Sequence, residues 1–94
     1  MEIIVLKFGG TSVGSIQRIK EVAKIIKSYS RKYNVIVLSS AMSGTTNKLI
    51  NMSLKISKNF SDHEYDTLVS AGEQISCSLL AGQLLENGVK ARSW

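Results

Sequence analysis

The chain has no proline and only one cysteine among its 94 residues. Without proline, the turns fall to Gly, Ser, Asn and Asp. The lone Cys77 excludes an internal disulfide, and no Cys/His cluster is present to hold a metal. That usage suits a reducing compartment, so a cytoplasmic location and no metal ligand are expected. Long apolar runs are also missing. Met1 and Glu2 precede only a four-residue run, IIVL, too short for a signal peptide or a membrane span, so no membrane partner is expected. Acidic residues are scarce, 7 against 12 Lys and Arg, for a net charge of +5. That balance raises the question of an anionic partner, but the placement of the charge argues against one. Lys20, Lys24, Lys27 and Arg31 recur at helical spacing. They form one stripe opposite Ile16, Ile19, Ala23, Ile26 and Tyr33, the pattern of a solvated helix face. Nucleic acid is the weaker reading, because no aromatic residues interleave with the basic ones to stack bases.

The hydrophobic share of 44% is that of a globular chain, enough for one small domain that buries about 60% of its unfolded surface. Glu2 to Phe8 (EIIVLKF) reads as a buried strand, nearly continuous in apolar character. Gly9 to Gly14 is a loop, and Ser15 is placed to cap a helix running to about Lys32. Asn34 to Ser40 (NVIVLSS) is a second apolar strand. Strand, helix and strand make a βαβ unit with a right-handed crossover and parallel strands. A small-residue loop, AMSGTTN, precedes helical character from Lys48 to about Lys58. Ser61 and Glu64 have capping-box spacing at the start of a long helix through Leu85, carrying Tyr65, Leu68, Ile75, Leu79 and Leu84. Asn87-Gly88 reads as its αL stop, and Val89 to Trp94 (VKARSW) as the start of a third strand. The expected fold is α/β with a parallel sheet in βαβ-α-α-β order. With sheet edges open and both faces in need of cover, these residues read as part of a larger domain.

Parallel strands deliver their carboxyl-terminal loops to one rim, where α/β proteins bind ligands. Lys7–Gly14 (KFGGTSVG) offers a cation, close-approach glycines, two hydroxyls and a helix N-terminus. It is neither a Walker loop, since the lysine comes first, nor G-x-G-x-x-G. Ser39–Asn47 offers hydroxyls and an amide on the same rim. Two donor-rich loops side by side favour a phosphate ligand. Within the long helix, Gly72 marks close packing or close approach. Its neighbour Glu73 either faces inward, toward an ammonium group or a donor-rich loop, or is a boundary residue paired with a lysine. His63 reads as a solvated or capping residue. Cys77, among small neighbours, reads as packing.

Together KFGGTSVG, LSSAMSGTTN and LVSAGEQIS leading to GVKARSW resemble bacterial aspartate kinase, over essentially the whole chain. The resemblance implies the amino-acid kinase (carbamate kinase-like) α/β/α sandwich, of which residues 1–94 correspond to the amino-terminal portion. The carboxyl-terminal nucleotide-binding half and the ACT regulatory domains are expected to be absent, and the chain to be inactive alone. The implied reaction is ATP- and Mg²⁺-dependent phosphorylation of the L-aspartate side chain, feeding lysine, diaminopimelate, threonine and methionine synthesis. By position, Lys7 is the implied catalytic cation. With it, Phe8, Gly9, Gly10, Thr11, Ser12 and Ser40 are the implied phosphate-binding residues. Thr46 and Glu73 are the implied aspartate-binding pair. A homo-oligomer is implied for the full-length family, with self-association of this chain through its sheet edges. Another amino-acid kinase relative, or a non-catalytic assembly partner, are the competing readings.

Overall fold

A computed structural model describes all residues 1–94. Two parallel strands, β1 (Ile3–Phe8) and β2 (Asn34–Ser39), pair in register from Ile3 opposite Asn34 to Phe8 opposite Ser39. Between them runs α1 (Ile16–Ser30), followed after β2 by α2 (Thr45–Ile56) and α3 (Asp62–Glu86). Ser15 caps α1 as expected, its side chain accepting from the Arg18 N–H at 3.2 Å.

Both helices α1 and α3 lie on one face of the sheet. Ile19, Val22, Ala23 and Ile26 of α1 meet Leu80 and Leu84 of α3, with Leu6, Phe8, Val35 and Val37 packed beneath them. The other face is bare. Ile3, Val5, Ile36 and Leu38 are 64%, 57%, 50% and 53% exposed. The continuous apolar character of the strands led to the expectation of two covered faces, but these residues supply helices to only one. The radius of gyration, 15.1 Å, exceeds the roughly 12 Å of a compact chain of this length, as a single open layer requires.

Full burial of a Val, Leu or Ile side chain contributes about 1.5–3 kcal/mol, a sizeable part of which is forgone at each bare position. Replacing Val5 and Ile36 together with Thr is therefore expected to change stability by no more than about 0.5 kcal/mol per site. Ile19→Ala, at a position 2% exposed, should cost about 2–5 kcal/mol. Urea unfolding measures the contrast. A large loss in the double mutant would show that the bare face is covered in solution.

Three local expectations differ from the structure. First, α2 starts at Thr45, earlier than Lys48, because Gly44 at φ 86° turns the chain into the helix. Second, the Ser61/Glu64 capping box does not form: the Ser61 side chain makes no cap hydrogen bond, and its carbonyl accepts from the Tyr65 N–H at 2.8 Å. Third, residues 89–94 form no strand, so the terminal β of the expected order is missing. Val89 and Ala91 pack on the core while Lys90 and Arg92 are exposed. That is a strand's alternation with no strand beside it to close a ladder.

The end of α3 matches expectation. Val89 N–H donates to the Leu84 carbonyl at 2.9 Å and Gly88 N–H to that of Leu85 at 3.0 Å, with Gly88 at φ 81°. This is a Schellman ending, and Val89 brings its apolar contact to the core that holds Leu84.

Candidate phosphate and substrate site

The two loops meet at the carboxyl ends of the strands. Ser40 N–H donates to the Phe8 carbonyl at 3.1 Å, continuing the ladder one step past the sheet, and Ser43 N–H donates to that of Gly10 at 3.1 Å. Gly10 has no room for a side chain: a Cβ there would stand 2.9 Å from the Ala41 carbonyl oxygen. The loop glycine is thus required by the neighbouring loop. Gly9 has nothing within 4 Å of such a Cβ, so its opening faces free space.

Within the first loop, the Val13 and Gly14 N–H groups close back on the Gly9 and Thr11 carbonyls at 3.3 and 3.2 Å. The N–H groups of Gly9, Gly10, Thr11 and Ser12 enter no backbone hydrogen bond. Four successive unpaired donors just ahead of α1 make a surface suited to an anion. Neither α1 nor α2 has an acidic residue in its first turn, whereas α3 has Asp62 and Glu64. The positive ends of the first two helices are left uncompensated beside the loops.

The implied site residues fall into two groups. Lys7, Ser40 and Glu73 line one open groove of about 1130 Å³ that runs along β2 to residues 88–94 and also takes in Ser39, Cys77 and Arg92. Strand alternation puts Lys7 on the bare face with Val5, opposite Leu38. Phe8 points the other way, into the core. Gly9, Gly10, Thr11, Ser12 and Thr46 lie outside the groove lining. Thr46 is half-buried in the first turn of α2, next to Thr45, whose methyl lies 3.2 Å from a Cβ placed on Gly72. The α2–α3 crossing therefore carries Thr46 and Glu73 on adjacent residues of the contacting pair. Gly72 is a close-packing glycine, touched as well by Ala41 and Leu49. Glu73 is exposed and faces the groove that Lys7 and Ser40 line.

Two residues were undervalued in the sequence. Ser76 donates to the Ser40 carbonyl at 2.6 Å from a fully buried position. The buried row of α3 is Gly72, Ser76, Leu80 and Leu84, every fourth residue, while Ile75 and Leu79 are 51% and 39% exposed. Following the four-residue step from Gly72 would have found the serine. Lys27, counted in the solvated stripe, donates instead to the Asn87 carbonyl at 2.8 Å, a cation at the carboxyl end of α3.

The sequence pattern of the amino acid kinase family matches residues 2–93. An aspartokinase of Geobacillus stearothermophilus is 51% identical over 94 residues, 99% of this chain and 23% of that protein. An aspartate kinase of Stutzerimonas stutzeri is 45% identical over 95 residues, again spanning 23% of the relative. Among solved structures, aspartate kinase from Synechocystis superposes with a TM-score of 0.86 at 42% identity, covering 93% of this chain and 15% of that one. The chain thus spans about a quarter of the curated relatives it matches. None of its helices is long and apolar enough to cross a membrane.

Proposed function

The chain belongs to the amino acid kinase family, and from that premise we propose that it is the amino-terminal part of a cytoplasmic aspartate kinase. The whole enzyme transfers the terminal phosphoryl group of ATP to the side-chain carboxylate of L-aspartate. The observation that carries this reading is the set of unpaired N–H groups at Gly9–Ser12, in a loop that follows Lys7 in sequence and is tied to the β2 loop by the Ser43-to-Gly10 hydrogen bond. In this reading Gly9, Gly10, Thr11 and Ser12 hold the phosphates, Lys7 neutralises charge on the moving group and Ser40 lies on the phosphate side. Thr46 and Glu73 bind aspartate, the Glu73 carboxylate taking its ammonium group.

An aspartate carboxylate is already a nucleophile at neutral pH, so the reaction needs no strong base. It needs two anions held together and their charge offset. The donors present here are N–H groups, hydroxyls and one lysine. No group of three His, Cys, Asp or Glu is placed to hold a metal, and Glu73 is the only carboxylate lining the groove. These residues do not build a Mg²⁺ site, so the ion would arrive with the ATP phosphates or be held by other parts of the enzyme.

Titrating the chain with Mg-ATP while following backbone amide resonances tests the assignment. The largest shifts are expected at Gly9–Ser12, and Lys7→Ala should weaken them. Largest shifts along Lys20, Lys24 and Arg31 would instead mark a general anion-binding helix face and sink the reading.

A second reading, a piece that assembles with a partner, is favoured by the bare face of Ile3, Val5, Ile36 and Leu38. Sedimentation of the chain alone separates the two. A dimer that neither binds ATP nor releases ADP favours assembly.

A further inference from the structure

Six serines lie in the helices. Ser28, Ser30, Ser53, Ser70 and Ser78 each donate to a carbonyl three or four residues earlier in their own helix, the usual fate of a helical hydroxyl. Ser76 has that option too, with the Glu73 carbonyl at 3.0 Å, but its shorter contact of 2.6 Å is to the Ser40 carbonyl on another element. A hydroxyl carries one proton, and the shorter contact marks where it goes. Ser76 is 0% exposed, so water does not compete for that bond.

The Ser40 peptide is consequently held from both sides. Its N–H is tied to Phe8, at the root of the glycine loop, and its carbonyl to α3, three residues beyond Glu73. A single path of hydrogen bonds then runs from the end of β1 through the β2 turn to the helix carrying the proposed substrate carboxylate. We propose that Ser76 is a positioning residue of the phosphoryl-transfer site. Its hydroxyl sets the separation between the phosphate-side groups at Phe8–Ser12 and Ser40 and the substrate-side Glu73. The inference rests on the function proposed above, and displacements of about 1 Å at such a site are enough to cost about a hundredfold in rate.

The test uses the 94-residue chain, amide hydrogen exchange and inorganic triphosphate as the probe, comparing wild type with Ser76→Ala, Ser76→Cys and Ser53→Ala. Ser53 is the matched control, 2% exposed but bonded only within its helix, to the Ile50 carbonyl. Ser76→Ala is expected to speed exchange of the Ser40 and Ser43 amides about tenfold relative to Ile19 and Val22, the scale of one lost hydrogen bond. Triphosphate affinity should fall by about three- to tenfold, the range spanned by one such bond. Ser76→Cys, a weaker donor, should fall between, and Ser53→Ala should leave the Ser40 amide and the affinity unchanged. Equal exchange at Ser40 in wild type and Ser76→Ala overturns the inference. Uniform acceleration through α1 as well gives Ser76 a merely structural role and overturns it too. If the wild-type amides at Gly9–Ser12 ignore triphosphate, the phosphate reading fails instead, and the exchange contrast still decides whether Ser76 holds the turn.

Discussion

Gly10→Ala is expected to destabilise the chain by about 1–3 kcal/mol and to abolish triphosphate binding, while Gly9→Ala abolishes binding alone. The two glycines are adjacent, and neither adopts positive φ, which is confined to Gly44 and Gly88. Backbone conformation therefore does not separate them. Space does. A methyl group on Gly10 meets the Ala41 carbonyl oxygen at 2.9 Å, with the Ser43 amide nitrogen at 3.6 Å. Both neighbours are backbone, so neither can swing aside as a side chain would. The two loops must part, and the Ser43-to-Gly10 hydrogen bond of 3.1 Å parts with them. On Gly9 the same methyl meets nothing within 4 Å. Because it also restricts the unfolded chain, Gly9→Ala should leave stability unchanged or raise it by about 0.4–1 kcal/mol. Its methyl would stand in the open space beside the loop that carries the unpaired N–H groups, where it is expected to crowd a bound anion. Thermal unfolding paired with triphosphate titration reads both quantities. Normal binding by Gly9→Ala would place the anion elsewhere.

The same contrast shows what the sequence could tell. That Gly9–Gly14 is a loop between a strand and a helix was legible, because the strand's apolar run ends where glycines begin and Ser15 stands at a capping position. Which glycine serves the fold and which faces open space was not, since that depends on Ala41, distant in sequence. On α1 periodicity held past the first turn: Ile19, Ala23 and Ile26 were read as inward and are buried, whereas Ile16, at the helix start, is 53% exposed. On α3 periodicity misled. Apolar residues occur around much of its surface, and a row through Ile75 and Leu79 looked as good as the true one through Ser76 and Leu80. Buried small polar residues carry no hydrophobic signal, so the Ser76 bond to Ser40 could not be read in advance. The bare sheet face was hidden for a related reason. An apolar strand reads as buried on both sides whether or not the residues at hand provide the second layer. Among the proposed site residues, Lys7 and Ser40 share one groove because parallel strands end on one rim, and Glu73 joins them from α3, which Ser76 ties to Ser40. The separate setting of Thr46, on the first turn of α2, followed from Gly44 starting that helix early.

The largest effect on activity is expected at Lys7. It is exposed at the end of β1, so Lys7→Ala should change stability by no more than about 0.5 kcal/mol. When the chain is joined to the remainder of a related aspartokinase, such as that of Geobacillus stearothermophilus, the variant should lose about 10²–10³-fold in kcat, the usual cost of removing one donor to transition-state charge. The loss should appear in kcat more than in the aspartate KM, because charge on the moving phosphoryl group is greatest in transit, whereas aspartate is held by Glu73 and Thr46 in both states. Glu73→Gln should show the reverse split, raising the aspartate KM through the weakened ammonium contact. Lys7→Arg should recover only part of the rate. A compact ammonium placed by one strand residue is not reproduced by a broad planar fork on a different stem. ADP formation measured against aspartate concentration separates these cases. A Lys7→Ala enzyme within tenfold of wild type in kcat would remove this lysine from the chemistry, and would leave the N–H groups of Gly9–Ser12 as the main electrostatic element these residues contribute.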